Sequence, residues 1–256
     1  MFLLRWILVC FYCASAFCSQ TYFLGVSIPK SGTHLLVKLF KLMTDCSYVG
    51  GWNGRLTEAQ VDNLLLNVDF TKNYPFCHAN EPHYLNFAKK HPEYVKLFQI
   101  RDLRDALVSA AFYFEAELEE LGCHTFDEKL AFVLTSNTVY SNWVENNVKL
   151  FSTWISLPNT YVIRFEDLVG EKGGGSGEKQ KETITWIHSL LNKDLSQEKL
   201  DWIIDHLFGF PGDKVSWSFR KGYVGDWKLY FQEHHKRLFN QRWGKYQQTL
   251  GYSIFE

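Results

Sequence analysis

Positions 22–28, Tyr22-Phe23-Leu24-Gly25-Val26-Ser27-Ile28, form an apolar, β-favouring run long enough for a buried strand. Beyond it the period changes. Leu35, Leu36, Leu39, Leu42 and Met43 recur at helical spacing, which predicts a helix over His34–Met43. The succession then repeats: 94–100 reads as a second strand with a helix over 104–114, and 160–165 reads as a third strand. Further helical patterns cover 126–150, 179–191, 196–207 and 234–250. Strands alternating with helices predict an α/β fold, a single domain over residues 20–256 with a central parallel sheet flanked by helices. No internal repeat interrupts it. The run Gly173-Gly174-Gly175-Ser176-Gly177 lacks the spacing of a dinucleotide fingerprint and reads as a flexible surface loop.

Composition adds limits. The 256 residues are 46% hydrophobic and 21% charged, the balance of a folded globular protein. Aromatic residues make up 17%, which suits a well-filled core. The net charge of −1 gives no overall field for nucleic acid, so any anion site must be local. Residues 1–18 differ from the rest: Arg5, an apolar stretch from Trp6 to Tyr12, and Ala14-Ser15-Ala16 read as a signal peptide. The expected location is the secretory pathway or the exterior; the alternative is membrane association through an uncleaved leader. Beyond the leader, Cys46, Cys77 and Cys123 are widely spaced, which suggests isolated buried thiols and leaves one bridge open.

Three polar blocks carry chemistry. The first, Ile28-Pro29-Lys30-Ser31-Gly32-Thr33-His34-Leu35-Leu36, joins the first strand to its helix. Such a turn presents unpaired N–H groups and the positive end of a helix dipole, a site for an anion. Gly32 permits close backbone approach, Ser31 and Thr33 add hydroxyls, and Lys30 adds a full charge. The result is a P-loop-like cradle, but the lysine precedes the glycine, unlike the usual nucleotide-triphosphatase order. The second block, Arg101-Asp102-Leu103-Arg104-Asp105-Ala106-Leu107-Val108-Ser109, follows the second strand and could bring Arg101 and Ser109 to one phosphate. The third, Phe219-Arg220-Lys221-Gly222-Tyr223-Val224-Gly225-Asp226-Trp227-Lys228, suits a basic loop closing over a nucleotide.

In this order the blocks resemble the sulfotransferases that use 3′-phosphoadenosine 5′-phosphosulfate (PAPS), over about residues 22–252. The first block is similar to that family's YPKSGTTW, the second to its 3′-phosphate motif, and the third to RKGxxGDWK. Arg164-Phe165-Glu166-Asp167-Leu168 is similar to its YEDL. The resemblance implies that a phosphosulfate cradle is formed by Lys30, Ser31, Gly32, Thr33 and His34, with Leu35 and Phe165 near adenine. It implies that Arg101, Ser109, Phe219, Arg220, Lys221 and Gly222 hold the rest of the nucleotide. The product would be adenosine 3′,5′-bisphosphate (PAP), and no metal would be needed. Leu35 stands in place of a stacking tryptophan and Phe165 in place of a tyrosine. The family's dimer motif KxxxTVxxxE is not matched after Lys228, and the oligomeric state stays open.

Transfer to a hydroxyl requires a base for its proton. The family places a histidine in a segment like KTHLP. Here His78, 23 positions before Arg101, fits that place, although Phe76-Cys77 precede it. His83 is its rival. His78 as base and Lys30 on the leaving oxygen are therefore the expected catalytic pair. The expected acceptor is a small molecule, lipid or carbohydrate bearing a hydroxyl or amine, and no nucleic acid partner is expected. Two other readings stay open: a nucleotide-dependent kinase with a similar cradle, and a catalytically silent nucleotide- or glycan-binding protein. No carboxylate follows an apolar strand as magnesium would require, which weighs against the kinase.

Overall fold

In the computed structural model, which describes residues 21–50, 56–191, 195–209 and 219–255, the first apolar run is strand β1 (Phe23–Ser27), buried along its whole length. The chain continues through α1 (Thr33–Thr44), β2 (Ser47–Val49), α2 (Glu58–Leu66), β3 (Asn73–His78), α3 (Pro82–Lys90) and β4 (Val95–Ile100). Next come α4 (Leu103–Tyr113), α5 (Glu115–Glu120), α6 (Phe126–Thr135), α7 (Val139–Val148) and α8 (Phe151–Ile155). It ends with β5 (Thr160–Arg164), α9 (Phe165–Leu168), α10 (Gly177–Leu190), α11 (Gln197–Leu207) and α12 (Glu233–Thr249). The five strands form one parallel sheet in the order β2-β3-β1-β4-β5. This is the expected single α/β domain. The leader over residues 1–18 lies outside the described residues.

Alternate side chains of the central strands enter different cores, as the period of two requires. Leu24 and Val26 of β1, with Phe98 and Ile100 of β4, join the core made with α3, α4, α6 and α12. Phe23 of β1, Phe76 of β3, Leu97 of β4 and Ile163 of β5 join the core made with α1, α10 and α11. Helices therefore cover both faces.

Two elements differ from the sequence reading. Strands β2 and β3 were not anticipated: β2 has only three residues, and β3 carries Pro75, which weakens a strand pattern. Pro75 pairs with Val49 at the end of β2. The expected helix over 126–150 is divided at Ser136-Asn137-Thr138. There the Ser141 hydroxyl donates to the Ser136 carbonyl and Asn142 Nδ2 to the Asn137 carbonyl, competing with the helical ladder.

Candidate active site

The chain leaves β1 through a tight turn in which Lys30 adopts φ 64° and Gly32 φ 91°. The left-handed backbone is unremarkable for Gly32 but strained for Lys30, where a side chain crowds the carbonyl. A Cβ at Gly32 would also lie 2.4 Å from the Phe165 ring. Helix α1 starts without a side-chain cap, so its first turn keeps the donors that bind anions.

Four strand ends converge on this turn. Ser27 ends β1, His78 ends β3, Arg101 follows β4, and Phe165 follows β5. Ser27 pairs in register with His78 on one side and Gln99 on the other. The basic loop 219–225 closes the fourth side: Gly225 and Trp227 N–H donate to the carboxylate of buried Asp105 on α4, at 2.8 and 2.9 Å. Together they enclose a cavity of about 400 Å³.

Its lining contains Lys30, Gly32, Thr33, His34, Leu35, His78, Arg101, Ser109, Phe165, Phe219, Arg220, Lys221 and Gly222. Of the residues expected at the site, Ser31 alone is not there. Its hydroxyl donates to the carbonyls of Ile28, at 2.5 Å, and Gln99, at 3.1 Å, so it secures the turn instead of facing a ligand. Thr33 shares a 2.8 Å hydroxyl–hydroxyl bond with Ser27, whose Oγ lies 3.3 Å from His78 Nδ1. His83 sits on α3 outside the cavity lining, and the geometry brings only His78 of the two histidines to the site.

The electrostatics suit an anion. No carboxylate lines the cavity among the described residues. Burial, then the charges of Arg101 and Arg220, lowers Lys30 to about 8. Burial lowers His78 to about 4, with smaller contributions from His34 and Lys30, so the imidazole is neutral at pH 7. His34 is held below its ordinary value mainly by exclusion of water and then by Lys30. Arg101 donates to the Tyr223 carbonyl at 2.7 Å and lies over the Phe165 ring at 4.2 Å. The Nε atoms of Arg101 and Arg220 are buried without a hydrogen-bond partner.

The sequence reading missed several lining residues: Tyr48, Tyr113, Trp143, Val169 and Phe208. They belong to apolar patterns that look like ordinary core. It also misread the glycine run. Gly173 is buried, its carbonyl accepts from Val224 N–H at 2.9 Å, and a Cβ there would lie 2.8 Å from the Gly222 carbonyl. Gly173 thus packs beneath the basic loop and supports it, while Gly174 and Ser176 of the run lie at the surface. Away from the cavity lining, Asp127, His234 and His235 bring three ligand atoms within 4.8 Å of one another. His235 Nδ1 accepts from Gln232 N–H, which puts the ring proton on Nε2 against the Asp127 carbonyl and opposes metal coordination there.

The sulfotransferase domain family matches residues 20–251, nearly the whole chain. The protein belongs to the sulfotransferase family. A 3-beta-hydroxysteroid sulfotransferase of Cavia porcellus is 25% identical over 238 residues, covering 80% of this chain and 76% of that one. A 3-alpha-hydroxysteroid sulfotransferase of the same animal is 26% identical over 151 residues, 53% of this chain. That second match spans half of the relative's length. Mouse sulfotransferase SULT7A1 complexed with PAP shares the fold with a TM-score of 0.65 at 20% identity, over 91% of this chain and 88% of that one. Sulfotransferase membership also accounts for a cradle in which the lysine comes before the glycine.

Proposed function

We propose that this sulfotransferase moves the sulfuryl group of PAPS to a hydroxyl on a small apolar acceptor. The observation that carries the reading is a cavity lined by Lys30, Arg101, Arg220 and Lys221, with no carboxylate in the lining among the described residues, beside a neutral buried imidazole. Two guanidinium Nε atoms buried without partners fit a phosphate-bearing ligand, since leaving such donors unpaired is costly.

PAPS, when bound, supplies an activated sulfuryl group and a phosphate leaving group. The chain's residues do the rest. The first turn of α1, with Lys30 and Thr33, would hold the 5′ end. Arg101, Ser109, Arg220 and Lys221 would hold the 3′-phosphate, and Phe165 and Phe208 offer faces to a flat base. His78 accepts the acceptor's proton as its oxygen bonds to sulfur and the bond from sulfur to the 5′-phosphate oxygen breaks. Lys30 neutralises the charge gathering on that oxygen. A steroid-like acceptor suits the aromatic wall of Tyr48, Tyr113 and Trp143, and the two relatives named as hydroxysteroid sulfotransferases favour it.

Calorimetry with PAP and AMP tests the donor half. Each charge-assisted phosphate contact is worth about 1.5–3 kcal/mol, so PAP should bind at least one to two decades more tightly than AMP. Equal affinities would remove the role given to Arg101 and the basic loop.

A further inference from the structure

Three cations of the cavity each lie over an aromatic face. Lys30 Nζ is 4.1 Å from the centroid of Tyr113, the Arg101 guanidinium 4.2 Å from Phe165, and that of Arg220 4.4 Å from Phe112. Phe112 and Tyr113 are consecutive residues at the end of α4, so one helix terminus seats two of the cations. A carboxylate beside Lys30 would attract the ammonium but cancel the charge an incoming anion needs. A ring face attracts it through the quadrupole and leaves the net charge in place.

The Tyr113 ring is itself fixed. It stacks on Trp143 at 5.4 Å and 28°, and meets Phe114 edge-on at 4.8 Å. Trp143 in turn stands edge-on to His78 at 6.0 Å, so one aromatic pair borders both expected catalytic groups. The other titratable or charged groups on the cavity wall are His34 of α1, Tyr48 of β2, His78 of β3, Arg101 after β4, and Arg220 and Lys221 of the basic loop. None of them is an acid; behind the wall Asp105 lies 3.7 Å from the Arg101 guanidinium, and Asp226 pairs with Arg220 and, at 3.3 Å, with Lys221. Burial and the two guanidiniums act to remove the Lys30 proton, as its value of about 8 records.

We infer that Tyr113 is a positioning residue for Lys30: its ring face, backed by Trp143, holds the ammonium at the cradle and keeps it protonated against the neighbouring guanidiniums. The inference rests on the donor reading only for what Lys30 then does to the leaving oxygen. Its physical content concerns the nucleotide-free protein.

The test is the Lys30 titration, read by NMR after reductive ¹³C-methylation, with Lys30→Arg to assign the signal. Tyr113→Leu should lower its proton affinity about threefold to tenfold, a shift of about half to one pH unit downward. Tyr113→Phe should restore it. Phenylalanines carrying one, two and three ring fluorines at position 113 keep the shape while weakening the quadrupole, so they should lower it stepwise even if the leucine variant folds poorly. A titration unmoved across the fluorinated series overturns the inference. Tyr113→Leu and the fluorinated proteins should bind PAP about twofold to fivefold more weakly than wild type at pH 8 and nearly equally at pH 6.5, where Lys30 is largely charged in all of them, while Tyr113→Phe should match wild type at both. Failure of wild type to bind PAP would sink the donor reading instead, and the nucleotide-free titration would still decide the role of Tyr113.

Discussion

His78 is the residue on which the chemistry turns, and its environment states its task. Burial at the end of β3 lowers it to about 4, so it stays neutral through the physiological range. A base that acts in the transition state affects turnover far more than donor binding. His78→Ala should lower kcat about 10²–10⁴-fold, while calorimetry finds PAP affinity within a few-fold of wild type. Comparable losses in kcat and PAP affinity would instead mark His78 as part of the nucleotide site. The pH profile gives an independent check. The base works unprotonated, so the acid limb of kcat/KM should fall near pH 4 and not near the 6.5 of an ordinary imidazole. Lys30 works protonated, so the alkaline limb should begin near pH 8. A limb at 6.5 would place the base outside this buried position.

At the level of elements, what could be read from the sequence depended on how local the signal was. The cradle was legible because proline, lysine, serine, glycine and threonine sit together between a strand period and a helix period. The role of Ser31 was not, because the carbonyl of Gln99 that takes its hydroxyl comes from another strand. Strand β3 was hidden by Pro75 and by its polar ends, although the histidine it carries could be placed by spacing from Arg101. Tyr113, Trp143 and Phe208 come from separate helices or their ends, and nothing in a local apolar pattern separates a cavity wall from a core. The glycine run was misread for the opposite reason: its composition suggests flexibility, while packing against Val169 and Gly222 requires the missing side chain. Gly173→Ala puts a Cβ 2.3 Å from Val169 Cγ2, an overpacking that costs about 1–3 kcal/mol. Thermal unfolding should therefore show a Tm lower by several degrees, and calorimetry a weaker hold on PAP through displacement of Gly222. A freely flexible loop would leave both quantities unchanged.

At the scale of the whole molecule, function follows from the sheet order. In the order β2-β3-β1-β4-β5 the chain leaves β1 toward β2 on one side and leaves the adjacent β4 toward β5 on the other, and ligands of open α/β sheets bind beyond the carboxyl ends of strands at such a switch point. The cradle, His78, Arg101 and Phe165 all lie there, although the sequence spreads them over more than a hundred positions. The alternation of strand and helix predicted this class of fold, while the order of the strands came only from the structure. One measurement tests the account as a whole: transfer of labelled sulfate from PAPS to a panel of hydroxysteroids, phenols, other lipid alcohols and sugars, with wild type and His78→Ala side by side. The account predicts a labelled ester from at least one apolar hydroxyl acceptor with wild type, and its near-complete loss in His78→Ala protein that still binds PAP. A wild-type protein that binds PAP yet sulfates nothing in the panel, or equal transfer by both proteins, would contradict it.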